Sequence, residues 1–124
     1  MKDLIYKEQS YKIIGVCMNI HRILGMGLKE VNYKDAMQID FLEEGIPFER
    51  EKKFVVKYRN YQLPNPYYAD FVVFDSIIVE VKSVSCLAEA HKAQILSYLA
   101  VSGFRLGLLI NFGERSLTWQ RLIR

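Results

Sequence analysis

Three ionisable residues, Asp70, Glu80 and Lys82, stand where apolar ones are expected. They lie in the stretch Tyr-Tyr-Ala-Asp-Phe-Val-Val-Phe-Asp-Ser-Ile-Ile-Val-Glu-Val-Lys, residues 67–82. Its two runs of Val, Ile and Phe, broken at Asp75-Ser76, predict a hairpin of two buried strands. Burying a charged group without a partner costs on the order of 1–3 kcal/mol or more. Charges there are therefore paired with each other or serve a metal or a substrate. Strand alternation puts Glu80 and Lys82 on one face and Val79 and Val81 on the other. Tight-hairpin register sets Asp70 opposite Val81 or Glu80, which brings two carboxylates within reach of one ion. Two hard carboxylates completed by carbonyls and waters suit Mg²⁺ or Mn²⁺ and not zinc. Lys82, on the same face, can hold a water or help deprotonate it. Metal and lysine together equip a site for phosphodiester hydrolysis: a Lewis acid, an activated water and stabilised phosphorane charge. The competing reading is a Glu80–Lys82 pair solvating an exposed sheet face, with Asp70 an acid at the strand edge.

Helices must position these residues. Ile13, Val16, Cys17, Ile20 and Leu24 recur at helical spacing over Ser10–Leu24, and Gly25-Met26-Gly27 ends that helix. A second helix is expected from about Leu28 to Glu44, stopped by Gly45 with Pro47 beyond. Its main apolar face is read as Leu28, Val31, Asn32, Ala36, Ile39 and Leu42, with a second stripe of Glu30, Tyr33, Met37 and Phe41. Two stripes imply a sandwiched helix, with Glu30 held against other elements. Pro47–Arg59 reads as a strand with a turn over Arg59–Gln62, and Leu63–Pro66 as a loop, since proline cannot donate to a ladder. A third helix is expected from about Cys86 to Ser102, N-capped by Ser85, with Leu87, Ala90, His91, Gln94, Ile95 and Tyr98 on one face. The polar members of that face suggest a cleft. Phe104–Phe112 reads as a strand covered on both faces, and Ser116–Ile123 as the last strand. The order predicts a parallel strand–helix–strand crossover and an α/β mixed sheet of about five strands flanked by helices. His91 by itself reads as a hydrogen-bonded helix residue. Trp119 and the tyrosines 58, 61, 67 and 68 have stacking chemistry, but packing is the favoured role for them.

The 124 residues make one domain, 1–124, with room for a single core. No apolar run approaches the roughly 20 residues of a membrane helix. The N-terminus, Met1 to Glu8, lacks the basic start and long apolar stretch of a signal peptide. A cytoplasmic protein without a membrane partner is expected. Cys17 and Cys86 fall in expected helices outside any Cys-x-x-Cys pair, so two buried free thiols are expected, without a disulfide or a zinc site. The net charge of +3 permits an anionic partner such as nucleic acid without requiring one.

Asp70…Glu80-Val81-Lys82, ahead of a helix carrying Gln94-x-x-x-Tyr98, resembles the PD-(D/E)XK nuclease superfamily. Gly27-Leu28-Lys29-Glu30-Val31-Asn32-Tyr33 matches the signature that names its GxxExxY family. Ile46–Glu51, His91–Leu99 and Gly107–Gly113 are similar to that family too, so the resemblance runs from about His21 onward. It implies a restriction-endonuclease-like core and nuclease activity on DNA or RNA, DNA being favoured. It also implies Asp70 and Glu80 as ligands of Mg²⁺ (or Mn²⁺), Lys82 as the water-orienting residue, Glu30 as an additional acid and Gln94 as an assisting residue. Ala69 stands where the family usually has proline before the aspartate. The alternative is a non-catalytic module that keeps the fold and binds nucleic acid or protein. Nothing resembles a separate specificity domain, so a homodimer or a partner protein is expected to help choose the target.

Overall fold

The computed structural model describes residues 4–124, so Met1–Asp3, on which part of the N-terminal reading rests, lie outside the described residues. Helix α1 (Lys7–Leu24) and helix α2 (Glu30–Glu43) are followed by strand β1 (Phe48–Phe54) and a two-stranded hairpin of β2 (Lys57–Tyr58) and β3 (Tyr61–Gln62). Strands β4 (Tyr67–Val73) and β5 (Ile77–Lys82), helix α3 (Glu89–Ser102), and strands β6 (Leu106–Asn111) and β7 (Thr118–Ile123) complete the chain.

Five strands form one mixed sheet in the order β1-β4-β5-β6-β7; β5 and β6 are parallel and their neighbours antiparallel. The expected α/β architecture is the observed one. Helices α1 and α2 cover one face, where Tyr33, Met37 and Phe41 pack on Phe71, Val79, Val81 and Ile110. Helix α3 covers the other, where Ile95 and Leu99 meet Val72, Ile78 and Leu109. Central strands buried on both faces explain the continuous apolar runs of β5 and β6. The hairpin turn spans Phe74–Ser76; Phe74 and Asp75 both have positive φ, and the Ser76 N–H bonds the Val73 carbonyl at 3.2 Å.

Four local expectations are corrected. On α2 the buried stripe is the second one, Tyr33, Met37 and Phe41, all without exposure, while Leu28, Val31, Ile39 and Leu42 are 40–66% exposed. Helix period alone defines stripes without saying which one the sheet takes; the stripe taken is the one whose rings pack on others, Tyr33 on Phe112 and Phe41 on Phe48 and Phe71. Strand β1 stops at Phe54, and Lys57–Gln62 forms its own hairpin instead of continuing it. Helix α3 begins at Glu89, not Cys86: the cap is Ala88, whose N–H donates to His91 Nδ1 at 3.0 Å, and Ser85 caps nothing. Cys86 consequently lies in an exposed loop, while Cys17 is buried and burial pushes its thiol pKa far up. No helix among the described residues is long and apolar enough to cross a membrane.

Candidate active site

The pairing of β4 with β5 covers only Phe71–Val73 against Ile77–Val79. Beyond Phe71 the ladder gives way to side chains. The Asp70 N–H donates to Glu80 Oε2 at 2.8 Å, and the Val81 N–H donates to Asp70 Oδ2 at 2.8 Å. Each carboxylate thus satisfies an amide that a regular ladder would have paired. The backbone changes phase at this point: Ala69 packs on the α3 side and Phe71, two residues on, packs under α1 and α2. In an unbroken strand those two side chains would share a face. The expected juxtaposition of Asp70 with Glu80 and Val81 is therefore realised through carboxylate–amide bonds at a strand break.

Glu80 is only 6% exposed. Burial, then the Asp70 carboxylate, pushes its pKa up to about 8, against the pull of the Asp70 amide, Lys82 and Lys34. A pair of acids that resist joint ionisation calls for a cation. Here Lys34 supplies one. Its Nζ lies 3.1 Å from Asp70 Oδ1 and 2.8 Å from Glu51 Oε1. Burial opposes the charge of Lys34, but the Glu51 and Asp70 carboxylates more than offset it and hold its pKa up. Glu51 itself sits at φ 53, a left-handed conformation inside β1.

Lys82 lies on the Glu80 face, half-buried, with no ion pair among the described residues. Glu30, one turn before Lys34 on α2, accepts from the Ser83 N–H at 3.2 Å, directly after Lys82. Ser83 Oγ donates back to the Leu28 carbonyl at 2.8 Å. The glycine-to-tyrosine signature has a structural meaning in this arrangement. Gly27 at φ 106 makes the bend, Glu30 holds the end of β5, and Tyr33 closes the loop. The Tyr33 hydroxyl donates to the Gly25 carbonyl at 2.6 Å, and its ring stacks on Phe112 at 4.3 Å.

From α3, Tyr98 stacks on Tyr67 at 3.9 Å, and its pKa is raised by burial and by the charges of Glu80 and Asp70. Gln94, one turn earlier, is exposed and makes no side-chain hydrogen bond among the described residues. The structure thus gathers Asp70, Glu80, Lys82 and Glu30 around the end of β5, and leaves Gln94 outside that hydrogen-bonded group. Sequence reading missed Lys34 and Glu51. Lys34 carried a signal, since it follows Glu30 by four residues and shares its helix face. Glu51 carried none, because its aim depends on the backbone strain.

The donor set fits a small divalent cation. Asp70 Oδ2 and Glu80 Oε2 are committed to amides, Asp70 Oδ1 takes only Lys34, and Glu80 Oε1 receives no hydrogen bond among the described residues. No group of three or more His, Cys, Asp or Glu suited to a metal occurs among the described residues. Two carboxylates completed by carbonyls and waters match the way Mg²⁺ is held.

Between pH 4.5 and about 8 the folded chain binds a proton at Glu80 that the unfolded chain has lost. Stability from this group is present below pH 4.5 and disappears as pH rises to about 8. Metal-free protein should lose up to about 1.4 kcal/mol per pH unit inside that window, and Glu80→Gln should flatten the slope. Urea unfolding in chelator at several pH values measures it; equal slopes in both proteins would show that Glu80 titrates normally.

The sequence matches the PD-(D/E)XK nuclease superfamily over residues 7–122. No curated protein matches it. Among solved structures, SSO0001 superposes with TM-score 0.53 at 14% identity, covering 96% of this chain and 60% of that one, so this chain spans less than two thirds of its length. An alkaline exonuclease (LHK-Exo) from Laribacter hongkongensis aligns with TM-score 0.44 at 10% identity, over 100% of this chain and 72% of that one. The family match covers the strand break, its two acids, the lysine and the helices that hold them. This chain belongs to the PD-(D/E)XK nuclease superfamily.

Proposed function

We propose that the chain is a metal-dependent nuclease of the GxxExxY type, hydrolysing phosphodiester bonds of DNA or RNA. The observation that carries this reading is the convergence of Asp70, Glu80 and Lys82 at the point where β4 parts from β5. Asp70 and Glu80 would hold Mg²⁺ or Mn²⁺, with a carbonyl of β5 and waters completing the shell. The bound ion supplies Lewis acidity and lowers the pKa of its water. The chain does the rest. The amides of Asp70 and Val81 fix the two carboxylates, so little reorganisation is needed on loading. Lys82 orients the attacking water and neutralises charge that develops on the phosphate. Glu30 holds the β5 terminus through Ser83 and so keeps Lys82 in place. Gln94 lies one turn from Tyr98, on the helix beside the acids, and assists from there.

One observation favours a non-catalytic nucleic-acid-binding module instead: the Lys34 ammonium pairs with both Asp70 and Glu51. Melting curves decide between the two. In the nuclease reading Mn²⁺ raises the melting temperature, since a ligand that binds only the folded state stabilises it by RT ln(1 + [L]/Kd). Asp70→Asn removes that rise. Lys34→Gln costs the metal-free protein about 1–3 kcal/mol through its unpaired carboxylates, and enlarges the Mn²⁺ effect because the ion no longer competes with an ammonium. A melting temperature indifferent to Mn²⁺ in both wild type and Lys34→Gln would leave the module.

A further inference from the structure

The β1–β4 ribbon continues past the strand break. Their ladder runs on through Lys53↔Tyr68 to Phe54↔Tyr67, where β4 no longer pairs with β5. Beyond Phe54 the ribbon ends in the β2–β3 hairpin. From Lys52 to Ala69 the chain has four cations, Lys52, Lys53, Lys57 and Arg59, four tyrosines and no acid. Lys52 pairs with Glu49; Lys53, Lys57 and Arg59 have no ion pair among the described residues. Packing is the role expected of these tyrosines, and only Tyr67 takes it. Tyr58, Tyr61 and Tyr68 are 56%, 70% and 52% exposed.

Tyr58 and Tyr61 are directly opposed across the hairpin, so both rings stand on one face. Arg59 between them sits at φ 55, a conformation that favours glycine, with its guanidinium 5.1 Å from the centre of the Tyr58 ring. A side chain held at a strained turn that glycine would fill more easily points to a use for that side chain. Tyr68, also exposed, lies two residues along β4 from Asp70, roughly 7 Å.

We propose that this hairpin is a grip for single-stranded nucleic acid, a reading that rests on the chain acting on nucleic acid at all. Tyr58 and Tyr61 stack on bases, while Lys53, Lys57 and Arg59 contact phosphates. Cations alone would serve a duplex, but aromatic faces find partners only on bases that are free of one.

Fluorescence anisotropy in chelator, with labelled oligo-dT, oligo-rU and a duplex of equal length, tests it. Replacing both tyrosines by alanine should weaken single-strand binding at least about tenfold and duplex binding far less. The Phe-for-Tyr pair should retain the affinity, which separates stacking from a hydroxyl or folding effect. Lys57→Ala should reduce the slope of log K against log salt by roughly 0.7. Whichever of oligo-dT and oligo-rU binds tighter names the natural strand. Single-strand affinity that is absent in the wild type, or indifferent to both tyrosines, overturns the grip. A protein that binds through the hairpin but never cuts with Mn²⁺ keeps the grip and loses the nuclease reading. One that cuts yet ignores the hairpin does the reverse.

Discussion

Replacing Lys82 by alanine should lower metal-dependent cleavage of nucleic acid by about 10²–10³-fold, the cost of removing one group that stabilises charge developing in the transition state. Mn²⁺ affinity should change by only a few-fold, because Lys82 bonds neither carboxylate directly. Its ammonium shares the sheet face of Glu80 and has no carboxylate partner within ion-pair distance among the described residues. A half-buried cation that neutralises nothing else is available for the water and the phosphate. Lys82→Arg should recover only part of the rate, since a planar guanidinium keeps the charge but cannot place it where the compact ammonium stood. Cleavage by Lys82→Ala at the wild-type rate removes the catalytic assignment.

The largest stability effect is expected at a glycine rather than at an ion pair. A Cβ on Gly113 would lie 2.2 Å from the Val84 carbonyl oxygen and 2.3 Å from its nitrogen. Backbone cannot yield as a side-chain tip does, so Gly113→Ala should cost about 3 kcal/mol. The displaced segment follows β5 directly. Asn111, fully buried, clamps the same segment: its Oδ1 accepts from the Val84 and Gly113 N–H groups at 3.0 Å each, and its Nδ2 donates to the Val84 carbonyl at 2.9 Å. Moving Val84 also moves Ser83, the group that Glu30 holds. Gly15→Ala is the matched control. That glycine is exposed in α1 with nothing within 4 Å, so alanine there should stabilise by about 0.5–1 kcal/mol. Denaturant midpoints of the two variants should move in opposite directions; equal shifts would show that the Asn111–Val84 clamp is soft.

Elements with strong periodicity are legible in the sequence alone. The five-stranded mixed sheet follows from the apolar runs at β5 and β6, and the pairing of Asp70 with Glu80 and Val81 from hairpin register. The misread features turn on competition between faces or on three-dimensional reach. Leu28, Val31, Ile39 and Leu42 look as apolar as Tyr33, Met37 and Phe41, and only the packed sheet shows which stripe it buries. A strand running to Arg59 would carry Tyr58 into the sheet; the separate hairpin after Phe54 leaves it and Tyr61 exposed. Lys34 reaches Asp70 across 36 residues of chain and binds Glu51 of a third element as well. Local sequence puts Lys34 on the Glu30 face of its helix, and leaves its partners unnamed.

The occupancy of Asp70 is where the nuclease reading is most exposed to test. Crystals grown with Mn²⁺ and measured at the manganese edge should show one anomalous peak touching Asp70 and Glu80, with the Lys34 ammonium moved off Asp70 and resting on Glu51. An unbroken Lys34–Asp70 pair with no peak between the two acids, in crystals saturated with Mn²⁺, would contradict it.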